Sequence, residues 1–195
     1  MTHAPNLFFI GPMGAGKTTI GRHVAELLKL EFYDLDQVIE MRSGVDISLI
    51  FELEGEAGFR RRETALLIEL ANKNAIALAT GGGTILSAEN RAVLKQRGFV
   101  VYLESSVDKQ LFRLKRDRRR PLLQADTIAS EQTSDTRRDR LQRLALERNP
   151  LYREIADITI SADGQRSALA TAQRVVTLLN THWQPEMTAL GHQNG

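Results

Sequence analysis

Leu7-Phe8-Phe9-Ile10-Gly11-Pro12-Met13-Gly14-Ala15-Gly16-Lys17-Thr18 decides the fold of this chain. Four apolar residues run into G-x-x-x-x-G-K-[ST], the phosphate-binding loop that joins a buried strand to a helix. Gly11, Gly14 and Gly16 admit backbone angles and close approaches that a Cβ forbids. Successive N–H groups then point at phosphate oxygens, reinforced by the positive end of a helix starting near Gly16. Lys17 supplies a mobile charge for the outer phosphates, and the Thr18 hydroxyl is placed to ligate Mg²⁺. A glycine-rich turn without nucleotide chemistry is the competing reading, and the strand–loop–helix context argues against it.

Outward from this loop, strands and helices alternate. Strand 7–10 is followed by a helix over 18–30, with Ile20, Val24, Leu27 and Leu28 as its apolar positions. Phe32-Tyr33 opens into Asp34-Leu35-Asp36, and two short helices at 35–42 and 46–54 flank the turn signal Ser43-Gly44. A helix over 56–72 carries Phe59, Leu66, Leu67 and Leu70; strand 75–80 ends in Gly81-Gly82-Gly83. Helix 88–97, strand 99–103 and helix 107–115 come next. Residues 117–135 are polar and without sustained periodicity, which reads as a mobile loop. A helix over 135–148, a break at Asn149-Pro150, a strand within 155–160 and a helix over 167–181 complete the pattern. The expectation is an α/β fold of three layers, α-β-α, around a five-stranded parallel sheet. It forms a single domain over 1–182, and 183–195 is a disordered tail.

Composition narrows the function. The 195 residues are 42% hydrophobic and 26% charged, as in a globular, soluble chain. No apolar run approaches the roughly 20 residues of a membrane span, and Met1-Thr2-His3-Ala4-Pro5-Asn6 lacks the pattern of a secretory signal. The absence of cysteine excludes disulfides and thiolate metal sites and agrees with a cytoplasmic location. A formal charge of +2 and few aromatics argue against a nucleic-acid partner. No heptads demand an oligomer, so a monomer is expected.

Three constellations go beyond nucleotide binding. Asp34 and Asp36 are expected on one extended segment at the carboxyl end of the second strand, the edge that faces the ligand crevice of an open α/β sheet. Phosphoryl transfer needs a carboxylate near Mg²⁺ and another to accept the acceptor hydroxyl's proton; capping of the next helix is the alternative. In Gly55-Glu56-Ala57-Gly58-Phe59-Arg60-Arg61-Arg62-Glu63, three adjacent arginines are about 100° apart on a helix, so they cannot all enter one crevice. Gly81-Gly82-Gly83 lets an acceptor lie against bare backbone.

With these residues in hand, the chain resembles shikimate kinase, a small member of the nucleoside-monophosphate-kinase-like group of phosphate-loop enzymes. The resemblance rests on GPMGAGKTT at 11–19, DLD at 34–36, GEAGFRRRE at 55–63, GGG at 81–83, RPLL at 120–123 and ERNPLY at 147–152. It implies transfer of the ATP γ-phosphate to the 3-hydroxyl of shikimate, a step toward chorismate and aromatic amino acids, with Mg²⁺ as cofactor. ATP would be held by Gly11, Met13, Gly14, Ala15 and Gly16, then by Lys17, Thr18 and Thr19. By the same resemblance Asp34 holds Mg²⁺ through water, alongside Thr18, and Asp36 binds the shikimate hydroxyls and serves as base. Arg60 and Arg148 grip the carboxylate beside Gly81, Gly82 and Gly83, and acceptor-binding helices lie within about 35–62. Arg113 packs on adenine, and Arg120, in a mobile lid over about 113–135, reaches the transferring phosphate. Lys17, Asp36 and Arg120 would be the catalytic side chains.

The chemistry agrees, since planar guanidinium forks suit an anionic acceptor better than a neutral polyol. Lys115, Arg116, Arg118 and Arg119 read as solvated surface. The stretch between Leu123 and Glu147 is longer and more polar than the family pattern. Two rival readings remain: a gluconate-type kinase, opposed by the set of Arg60, Gly81, Gly82, Gly83 and Arg148, and a nucleotide switch without turnover, opposed by the presence of Asp36 and the arginines.

Overall fold

In the computed structural model, residues 6–114, 137–163 and 167–182 are described. The apolar run after the amino terminus becomes β1 (Asn6–Ile10), buried along its whole length. It lies at the centre of a five-stranded sheet in the order β2-β3-β1-β4-β5, where β2 is Glu31–Asp34, β3 Ile76–Ala79, β4 Gly98–Glu104 and β5 Ile158–Ser161. Every pairing is parallel, with Phe8 opposite Leu78 on one side and Val100 on the other. Parallel strands need helical crossovers, and these cover both faces.

Alternation along the strands divides the core. Phe8, Ile10, Leu78, Val100 and Tyr102 face one layer, formed by α2 (Leu35–Ser43), α3 (Ile47–Ala71), α4 (Ala88–Arg97) and α6 (Arg137–Ile155). Leu7, Phe9, Val101 and Leu103 face the other, formed chiefly by α1 (Lys17–Leu28) and α7 (Ala168–His182). A shorter helix, α5 (Val107–Leu114), follows β4. The expected three-layer α-β-α fold with five parallel strands is what forms. Among the described residues, no helix is long and apolar enough to cross a membrane.

Several boundaries differ from the sequence reading. The helices expected at 46–54 and 56–72 meet as one element, α3, kinked where Gly55 adopts φ 68° and ψ 179°. Leu27 is 48% exposed, because the buried stripe of α1 runs through Ile20, Val24 and Ala25 instead. The helix expected to break at Asn149-Pro150 continues to Ile155 with Pro150 inside it. Proline there removes one helical bond. The residue is exposed, and burial of Tyr152 and Ile155 one turn further on holds the helix together. Ile155 therefore closes a helix and does not open the last strand, which begins at Ile158. The mobile loop expected at 117–135, including Lys115, Arg116, Arg118, Arg119 and Arg120 at its margin or within it, lies outside the described residues. So does the tail expected at 183–195.

One buried polar side chain ties β1 to the crossover before β3. Asn6 donates to the carbonyls of Ala71 (3.0 Å) and Lys73 (2.8 Å) and accepts from the Ile76 N–H (3.2 Å). Asn6→Ala strands these groups away from water. It should lower the unfolding free energy by about 2 kcal/mol, read from urea denaturation; an unchanged midpoint would show that the crossover needs no such tie.

Candidate active site

Because all five strands are parallel, their carboxyl ends share one edge, and each functional segment leaves from it. The loop from Gly11 to Gly16 follows β1. A Cβ on Gly11 would lie 2.4 Å from the Leu103 carbonyl oxygen of neighbouring β4, and the residue has φ +141°, so only glycine fits. Gly14 and Gly16 also have positive φ, and Ala15 is buried in the core. Gly16 caps α1. Lys17 folds back against the loop, its Nζ donating to the carbonyls of Gly11 (2.7 Å) and Pro12 (2.9 Å). Thr18 Oγ1 donates to Asp34 Oδ2 at 2.5 Å, whereas Thr19 is exposed.

Asp34 ends β2 and also caps α2, its Oδ1 accepting the Gln37 N–H at 3.2 Å. One oxygen therefore caps α2, the alternative weighed from sequence, and the other meets Thr18. Asp34 and Asp36 do not share an extended segment, however. The helix starts between them, and Asp36 lies in its first turn. Early capping by Asp34 and the burial of Leu35 pull the chain into helix immediately after the strand.

The acceptor candidates converge on the segment after β3. A Cβ on Gly81 would come within 2.9 Å of Asp36 Oδ1, and one on Gly83 within 2.5 Å of Arg60 Nη2. A Cβ on Gly82 would stand 3.3 Å from the Met13 backbone nitrogen, so the glycine segment also lies against the phosphate loop. From the other side, Arg148 Nη1 donates to the Gly82 carbonyl at 3.4 Å. Asp36, Arg60, Gly81, Gly82, Gly83 and Arg148 are therefore brought together.

Of the three adjacent arginines, only Arg60 is half-buried; Arg61 and Arg62 are exposed, and Arg62 pairs with Glu54 at 2.6 Å. Arg60 is fixed by Glu63 (Nη1 to Oε2, 2.7 Å) and by Glu56 (Nη2 to Oε1, 3.2 Å). Burial works against its charge, but the attraction and hydrogen bonds of Glu63, followed by those of Glu56, outweigh it and raise its pKa. Glu63 is wholly buried and also accepts from Thr84 Oγ1 at 2.6 Å. Sequence reasoning gave Glu63 no role, although its place three residues after Arg60 on a helix is the signal for such a pair. Thr84 offered no comparable signal.

Arg113 lies beside the phosphate loop through a set of contacts that the sequence did not foresee. Its Nη1 donates to the carbonyls of Gly14 and Ala15, both at 2.8 Å, and its Nη2 to that of Ala162 at 3.1 Å. The segment after β5 is thereby tied to the phosphate loop. Asp163 beside it accepts from Ser105 Oγ (2.9 Å) and the Ser106 N–H (2.7 Å). Burial pushes the Asp163 pKa up, and the serine hydrogen bonds bring it below its ordinary value. Arg120 lies outside the described residues.

Comparison with known proteins identifies the family. The shikimate kinase family model matches residues 13–180. A shikimate kinase of Vibrio cholerae is 51% identical over 93% of this chain and 99% of its own length. One of Buchnera aphidicola is 53% identical, covering 92% and 99% respectively. Among solved structures, a shikimate kinase from Acinetobacter baumannii in complex with shikimate superposes with a TM-score of 0.82. It is 49% identical and covers 92% of this chain and 95% of its own. The chain belongs to the shikimate kinase family.

Proposed function

We propose that this kinase transfers the γ-phosphoryl group of ATP to the 3-hydroxyl of shikimate, with the residues assembled above as its working groups. The observation that carries the reading is the convergence of Arg60 from α3 and Arg148 from α6 on one bare stretch of backbone, Gly82 and Gly83, beside Asp36. Two guanidinium groups from different helices make a seat for a carboxylate. Asp36, in α2 beside the same segment, supplies an acceptor for hydroxyl protons.

The donor side abuts this seat through the contact between Gly82 and Met13. Backbone N–H groups of the loop at 11–16 and the amino end of α1 would cradle the phosphates, with Lys17 moving from the loop carbonyls to the outer phosphates. The hydrogen-bonding edge of Arg113 is spent on backbone carbonyls, which supports stacking of its planar face on the base. Thr18 and Asp34 are hard oxygen donors in direct contact, a set that fits Mg²⁺ held partly by phosphate and partly by water. A metal held there would neutralise charge on the phosphate oxygens. Arg120 enters only by its family motif, as a further charge for the transferring group.

Asp36 would accept the proton of the attacking hydroxyl, while the two arginines fix the acceptor so that this hydroxyl faces the phosphate. Orientation and preorganised charge supply most of the rate in such a transfer.

Release of ADP against a panel of shikimate, quinate, gluconate and nucleoside monophosphates tests the assignment. Shikimate should be strongly preferred, and preference for another acceptor would overturn it. Asp36→Asn should cost on the order of 10²–10⁴ in kcat while ATP affinity holds, because the phosphate loop is untouched; turnover near wild type removes Asp36 from the chemistry. In Arg60→Lys the charge survives but the fork is lost. The KM for shikimate should then rise roughly 10- to 100-fold with that for ATP nearly unchanged. Equal loss for both substrates would instead make Arg60 a support of the fold.

A further inference from the structure

The Gly82 carbonyl has two donors of unequal quality. Tyr152 Oη donates to it at 2.6 Å, Arg148 Nη1 at 3.4 Å. The first is a short, strong contact; the second is long and weak. Tyr152 is fully buried, and its ring stacks on Tyr102 of central strand β4 with 5.0 Å between centroids. Burial pushes its hydroxyl well above the usual phenol range, with Arg148 opposing and Tyr102 adding to the shift, so it remains a donor. The Tyr102 hydroxyl bonds Asn149 Oδ1 at 3.2 Å, next to Arg148 in the chain.

Arg148 is correspondingly underused. Its Nε is buried and has no hydrogen-bond partner among the described residues, and its one contact with Gly82 is marginal. A buried guanidinium N–H without an acceptor is costly unless something arrives to take it.

We propose that Tyr152 is a positioning residue for the acceptor's carboxylate: by holding the Gly82 carbonyl, it leaves Arg148 free to turn its fork to the anion. The inference rests on the reading that Arg60 and Arg148 seat that carboxylate. The same hydrogen bond fixes a peptide plane. The described chain has no cis peptide bond, so the Gly83 N–H points opposite to the Gly82 carbonyl, away from Tyr152. Gly83 is the residue packed against Arg60. One phenol hydroxyl therefore sets the backbone between the two arginines. Without it, the carbonyl has only Arg148 among the described residues, and an incoming carboxylate must compete with it for the guanidinium.

The test is Tyr152→Phe, which keeps the ring stack, assayed with shikimate and with its neutral carboxamide analogue. The KM for shikimate should rise roughly 5- to 50-fold, with the KM for ATP and kcat changed by less than about threefold. Because the effect passes through the carboxylate, it should largely vanish when binding of the carboxamide is compared between wild type and variant. Tyr102→Phe removes a hydroxyl from the same stack without touching Gly82 and should leave the shikimate KM unchanged. If wild type binds the carboxamide as well as shikimate, the carboxylate seat itself is wrong. If wild type discriminates but the variant loses equally on both ligands, or on ATP as well, the seat stands and the positioning role falls. A Tyr152→Phe chain that does not fold also overturns the role, since the hydroxyl would then be a requirement of the fold.

Discussion

The close approach of side chains to bare backbone at Gly81-Gly82-Gly83 is the constraint on which the site depends. Asp36, Arg60, Arg148 and the phosphate loop come from four separate parts of the chain, and each meets this one segment. A side chain at Gly83 would occupy the volume of the Arg60 guanidinium, and one at Gly81 would press on Asp36 and Glu63. The segment is pinned at both ends all the same. Thr80 anchors its start by donating to the Phe9 carbonyl from both its backbone nitrogen (3.1 Å) and its hydroxyl (3.2 Å). Beyond it, Asn90 Nδ2 holds the Thr84 carbonyl at 2.9 Å. Three glycines here mean proximity, not looseness.

Charge in this region is organised around a buried acid. Glu63 lies out of water, where an unpaired carboxylate would be very costly, and it is compensated by Arg60 on one oxygen and Thr84 on the other. The pair contributes order more than stability, because desolvating both partners offsets much of their attraction. What it secures is the direction of Arg60. With Nη1 taken by Glu63 and Nε and Nη2 weakly shared with exposed Glu56, the guanidinium has a fixed plane and replaceable outer contacts. An anion displacing Glu56 finds a fork already aimed.

Much of this was legible in the sequence for a definite reason. Features set by backbone conformation leave residue signatures: Gly11 and Lys17 announce their loop, and the Gly55 kink falls where two helices had been separated. The alternation of Phe8 and Phe9 between two layers follows from strand geometry alone. Where packing overrides local preference, sequence misleads. Pro150 reads as a break until Tyr152 and Ile155 are seen anchoring the turn beyond it. Contacts made by backbone carbonyls leave no signature at all. Nothing in the order of residues tells that Arg113 would reach Gly14, Ala15 and Ala162, or that Tyr152 would hold Gly82.

Donor and acceptor halves are coupled through one carboxylate as well as through backbone. Asp34 accepts from Thr18 at the start of α1 and from Gln37 in the first turn of α2, so it fixes the onset of both helices relative to each other. Asp36, two residues on, inherits its position from that cap. The cap is usually the bland reading of an acid at a strand–helix junction. Here it is what allows a second acid, two residues away, to stand at a fixed distance from the phosphate loop, so the structural role of Asp34 is the condition for any chemical role of Asp36.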